Sequence, residues 1–197
     1  MSRLRGEGGF SLVEMLTVMG ILGVVIGGLA TLFEQGSTAE VSMNNRYQAQ
    51  LNARVGLDRL KKDLHCASGP HTGTTPSATS ITLDVPCVTG GYVSWCTAAS
   101  GGRYGLYRNP ASTSCSSANT RFIDNILNAS GNVFVYEPAW NSSLARLHVD
   151  LQINTAANTV KRTPDLFELC DVIVLRNSQR TGGASQPTLQ PATTPPC

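Results

Sequence analysis

Charge is scarce in this chain, and so are the residues on which most enzymes depend. Of its 197 residues only 14% are Asp, Glu, Lys or Arg, and three are histidine. That is low for a soluble cytoplasmic protein. His65, His71 and His148 lack ligand-like spacing, and no C-x-x-C pair occurs, so the common zinc and thioredoxin-like patterns are excluded. H-E-x-x-H, G-x-S-x-G, the phosphate-binding loop, G-x-G-x-x-G and the calcium-loop pattern are all missing. Asp58, Asp63 and His65 are expected to be a solvated helix face rather than a catalytic set. The expectation is therefore no enzyme, no cofactor and no metal site.

Nor is there a strong charge of one sign. The formal net charge is +2, and setting aside Arg3, Arg5 and Glu7 leaves 13 basic against 12 acidic residues. Arg59, Lys61 and Lys62 form one small basic cluster and Lys161 with Arg162 another. These are read as ordinary surface charge, so a nucleic-acid partner has thin support. Trp95, Tyr104 and Tyr107 lie near basic residues but are expected in a strand core. Asn128 and Asn141 head N-glycosylation triplets, which matter only in a host that glycosylates them.

The sequence does contain six cysteines, Cys66, Cys87, Cys96, Cys115, Cys170 and Cys197. Their even number and Ser/Thr/Gly-rich setting predict disulfides formed in an oxidising compartment, although spacing chooses no pairing. It also contains one long apolar run. Residues 10–33 read FSLVEMLTVMGILGVVIGGLATLF, with a single charge, Glu14. At about 1.5 Å per residue this stretch can cross a bilayer core of about 30 Å. The leader MSRLRGEGG, with Arg3 and Arg5, keeps its own side in the cytoplasm and sends the rest across. A secretory signal peptide is one reading, with Gly28-Leu29-Ala30 as a small-x-small site; a plain anchor is another. Neither has a use for Glu14, whose charge costs on the order of 3 kcal/mol at a membrane helix centre. If the chain is cut between Gly9 and Phe10, the carboxylate lies one turn from a new α-amine and in the positive first turn of a helix. In a filament it would instead neutralise a neighbour's amine.

Gly9-Phe10-Ser11-Leu12-Val13-Glu14-Met15-Leu16 resembles the type IV prepilin cleavage and methylation motif, with Ser11 where threonine is commoner. The resemblance implies a prepilin peptidase that cuts after Gly9 and N-methylates Phe10, and a glycine there leaves the backbone unobstructed. It implies further partners in other pilin subunits and an inner-membrane assembly platform. Glu14 is expected to set subunit register. The protein would sit in the cytoplasmic membrane with its C-terminal domain exported, then in a periplasmic or cell-surface filament.

Helical spacing resumes after the polar patch at 34–38. Met43, Tyr47 and Leu51 are four apart, and Ala53, Leu57, Leu60 and Leu64 step by four, three and four. Residues 10–67 thus predict one helix of about 58 residues, roughly 87 Å long. Gly20, Gly23, Gly27, Gly28 and Gly36 each weaken it by up to about 1 kcal/mol, and the stretch 23–36 is expected to bend or melt on subunit packing. The residues at 68–80 read as a polar loop. Strand-like runs follow at 81–88, 92–97, 103–109, 132–138, 144–154 and 165–177, whereas 122–127 reads equally as helix or strand. The fold class is α+β and pilin-like: a long N-terminal helix packed on a mainly antiparallel sheet. The expected organisation is a leader at 1–9, a transmembrane helix at 10–33, an amphipathic continuation at 34–67, an exported β domain at 68–177 and a low-complexity tail at 178–197. "LDRLKKDL", "GGRYGLYRN" and "LHVDLQIN…LFELCDVIVLRN" resemble J-type minor pseudopilins of type II secretion and W-type minor pilins. The resemblance implies a structural subunit that primes, caps or decorates a filament, with DNA uptake or adhesion as possible uses. A membrane-anchored adhesive module that does not polymerise is the alternative from another class.

The motif makes one direct prediction. Gly9→Val blocks entry of the backbone to the peptidase, so the variant keeps its leader, read as an intact mass starting at Met1 or Ser2 instead of methylated Phe10.

Overall fold

The computed structural model describes residues 11–140, 143–155 and 166–178. The chain divides into two units, Met1–Asn44 and Asn45–Cys197. One helix, α1 (Leu12–Cys66, 55 residues), runs through the boundary. In the first unit it is the only element among the described residues. In the second, its C-terminal half lies on a sheet.

Within the second unit the buried positions of α1 are Ala53, Gly56, Leu57, Leu60, Asp63 and Leu64, a single face at three- and four-residue steps. Gly56 permits the contact: a Cβ there would stand 2.3 Å from Ile123 Cγ1. Leu60 and Leu64 are fully buried, each contributing about 2 kcal/mol. Tyr47, Leu51 and Val55, by contrast, are 59%, 37% and 62% exposed. The sequence joined Tyr47 and Leu51 to the buried pattern; the helix instead carries two apolar stripes, one on the sheet and one facing away from it. The helix ends at Cys66, shortly before Gly69-Pro70, where a residue preceding proline is disfavoured in helix. Asn177 Nδ2 donates to the terminal Cys66 carbonyl at 3.1 Å, and His65 sits in the last turn, as expected for a basic residue.

The strands are β1 (Gly69–Pro70), β2 (Ser80–Asp84), β3 (Tyr92–Ser100), β4 (Arg103–Pro110), β5 (Thr120–Ile126), β6 (Phe134–Glu137), β7 (Arg146–Asn154) and β8 (Leu166–Val174). Every described pairing is antiparallel. β2 to β5 form a meander. β7 pairs with β6 over Arg146–Val149, meets β5 at Ile153, and pairs with β8 along its whole length. The β3–β4 hairpin closes on Gly101 and Gly102, both at positive φ, the requirement of a tight two-residue turn. Leu147, Val149, Leu151 and Ile153 alternate into the core as their pattern predicts.

Of residues 122–127, 122–126 resolve as strand and Leu127 lies just beyond its end. β5 departs from two-residue alternation twice: Leu106 pairs with Ile123 and Tyr107 with Arg121, and Gly105 pairs with Asp124 and Tyr104 with Ile126. Phe122 and Asn125 are therefore extra residues in the ladder, and the bulges erase the periodicity that marks a strand. The predicted loop at 68–80 contains the two-residue β1.

Asp63 corrects another expectation. It is 2% exposed rather than solvated, because it shares the helix face of Gly56 and Leu60. Arg108 donates to it through Nε at 2.7 Å and its terminal nitrogen at 3.2 Å, and Trp95 Nε1 donates at 3.1 Å. Trp95 and Arg108 are cross-strand partners on β3 and β4, so one carboxylate ties the helix to two strands. Asp58 and His65 are exposed, as expected. Removing one member of a buried pair leaves the other charge uncompensated, at a cost of about 3–5 kcal/mol. Asp63→Ala should lose that much in denaturant unfolding of the full chain. Arg59→Ala, which removes a half-exposed partner 3.7 Å away, should lose less than about 1 kcal/mol.

Candidate functional site

The candidate site is the segment that opens α1. Ser11 precedes the first helical residue, and its carbonyl accepts the Met15 N–H at 3.2 Å. Ser11 therefore stands at the N-cap, and Glu14 falls in the first turn. The pair has the Ser-x-x-Glu spacing of a capping box, a pattern not read from the sequence, but among the described residues neither side chain makes the hydrogen bonds of that box, and Glu14 acts on the helix through its charge in the first turn. Gly9 and Phe10, the expected cleavage and methylation positions, lie outside the described residues.

The rest of the segment is built for an apolar medium. Thr17, Thr31 and Thr38 each donate their hydroxyl to the carbonyl three residues back, at 2.8–2.9 Å, so these polar groups need no water. Leu12 is 78% exposed and Phe33 81%, with the large apolar residues between them likewise uncovered. The helix is long and apolar enough to cross a membrane, and none of its most apolar stretch is buried in the chain. So much bare apolar surface requires lipid or other subunits. A family model for the prokaryotic N-terminal methylation motif matches residues 4–30. The match supports a type IV pilin-like protein. No curated protein and no solved structure matches the chain. The motif and the apolar helix fit membrane anchoring of this pilin-like chain, and the motif implies prepilin peptidase processing and assembly with other pilins.

The remaining predicted residues are dispersed. Cys66 pairs with Cys87 and Cys96 with Cys115, Cα atoms 6.1 and 5.9 Å apart. Their sequence separations are 21 and 19 residues, each worth about 3 kcal/mol in the chain-entropy account. Cys170 is also disulfide-bonded, and Cys197 lies outside the described residues. Of the first basic cluster, Lys61 pairs with Asp171 at 2.6 Å and Arg59 approaches Asp63; Lys161 and Arg162 lie outside the described residues. Trp95 and Tyr107 are core, while Tyr104 is 43% exposed. Asn128 donates to the Asp150 carbonyl and accepts from Gln152 N–H, so its amide is committed within the fold. Asn141 is outside the described residues. His71 pairs with Asp84 and stacks on Tyr92, ring centroids 4.4 Å apart; His148 pairs with Glu137 at 3.3 Å. Among the described residues, no three His, Cys, Asp or Glu side chains gather to hold a metal.

The reverse side of β7 carries what sequence reasoning missed. Asp150 is 7% exposed, and its Oδ1 has no hydrogen-bond partner. Burial, then the charge of Glu168, raises its pKa above 3.8, opposed by the hydrogen bond from Asn128. Burial likewise pushes the Tyr136 phenol up to about 12. An acid raised in the fold gives stability that is complete below its unfolded pKa and is lost as pH rises through its folded one. Asp150→Asn removes that loss. The variant should melt higher than the parent at neutral pH, with the gain shrinking to nothing below pH 3.8, in thermal scans across that range.

Proposed function

We infer that this pilin-like chain is a minor pilin: a structural, non-catalytic subunit that primes, caps or decorates a type IV pilus. The observation that carries this reading is a helix headed by the methylation motif whose first half has nothing in its own chain to cover it. The membrane covers that surface before assembly and neighbouring helices cover it afterwards, so extraction from lipid does not expose it to water. The second apolar stripe, Tyr47, Leu51 and Val55, offers the same kind of contact in the exported part. The peptidase cuts after Gly9 and methylates Phe10, and Glu14 pairs with a neighbouring subunit's α-amine to set register. The domain from β1 onward is exported, which accords with disulfides on its strands and loops.

The same parts would serve a type II secretion pseudopilin, since the likeness around β7 and β8 extends to J-type pseudopilins and W-type minor pilins alike. A gene neighbourhood with a secretin and secreted hydrolases, rather than retraction ATPases, would mark that use. A non-polymerising anchored module would have no need of Glu14.

The register role separates from capping by one comparison. Glutamine keeps a side chain able to cap at the same spacing but not the charge. Glu14→Ala and Glu14→Gln should both be trimmed normally and both be lost from the sheared filament fraction, by immunoblot. Incorporation of Glu14→Gln at parental levels would assign Glu14 to capping alone.

A further inference from the structure

A cleft of about 150 Å³ lies within the second unit, between α1 and the ends of β5 and β7. Its helical wall is Asn45, Gln48 and Asn52, which share one face at three- and four-residue steps, with Ala49 between them. Asp124 and Asn125 of β5 face them, and Thr155 closes one end. Asn125 is the extra residue of a bulge and has φ of 59°, a left-handed backbone that asparagine tolerates better than most residues. Bulges re-aim side chains, and this one puts an amide into the cleft wall.

Among the described residues the four side-chain amides make no hydrogen bond to the protein, and those of Gln48 and Asn52 are open to solvent. Each offers two donors and an acceptor. Among the described lining residues Asp124 is the only charged one, and its charge is met by Arg121 Nε at 3.0 Å. That lining presents amides rather than free cations, so it suits a neutral polar ligand better than a phosphate or carboxylate. Ala49 is its only apolar side chain, so an aliphatic ligand would have little to bury. Neighbouring hydroxyls, each both donor and acceptor, match these amides. We propose that the cleft binds an uncharged saccharide, one sugar unit seated between the helix amides and Asn125. This goes beyond the assembly role and does not depend on it, because every lining residue lies in the unit that begins at Asn45.

The test uses the full chain in phosphatidylcholine nanodiscs, free of sugar-headed detergents. The probes are glucose, galactose, mannose, N-acetylglucosamine and disaccharides built from them, read by saturation-transfer NMR. At least one should receive saturation at its ring protons. Asn52→Ala on the helix surface, and Asn125→Gly, which keeps the left-handed backbone, should each weaken it about tenfold, the scale of one or two lost hydrogen bonds. Thermal melting of the same samples confirms that both variants are folded. Absence of transfer to every probe overturns the proposal, as does transfer that neither variant weakens. A photo-crosslinker at position 52 that captures another pilin subunit in native membranes would assign the cleft to a protein contact and overturn it too.

Discussion

The carboxylate of Asp63 holds the helix to the sheet. It receives two hydrogen bonds from Arg108 and one from Trp95, and so joins the helix to two neighbouring strands at one point. A buried charge pair is a weak source of net stability. Its value here is positional. Leucines alone would let the helix slide along the sheet by small amounts at small cost, whereas a fork-shaped donor set accepts one placement. Gly56 against Ile123 enforces the same placement sterically. Polar geometry and close packing thus specify a single helix register, and the core leucines supply the energy.

The N-terminal unit obeys the opposite logic. Among the described residues its large apolar side chains are exposed, its threonines satisfy themselves, and its glycines at positions 20, 23, 27, 28 and 36 have open space around them. Such a surface is suited to completion by another molecule. Glu14 is its one described charge near the helix start, in the first turn, where the helix dipole favours it.

Much of this was legible in the residues. A run from Phe10 to Phe33 with one charge is a physical statement about its solvent, and the motif around Glu14 narrows the class. The β7 alternation and the Gly101-Gly102 turn were equally plain. What the sequence hid was hidden for reasons that can be named. Bulges at Phe122 and Asn125 destroyed the period of β5. Asp63 looked like its solvated neighbour Asp58 because its partner lies 45 residues away on a strand. Tyr47 and Leu51 matched the spacing of the buried face but turn away from the sheet, and helical spacing alone does not say which stripe meets the core. The helical amides of the cleft recur at three- and four-residue steps, but their opposing wall depends on one of those bulges and carries no spacing signal.

The end of the helix has a mechanical consequence. Cys66, its last residue, is bonded to Cys87 just beyond β2, and three residues earlier Asp63 is gripped by Arg108. Tension along the helix axis therefore enters the sheet through a covalent link backed by an ion pair. The joint that would carry load between the helix and the sheet is also the joint least able to creep. The sheet can be pulled without being peeled from its helix.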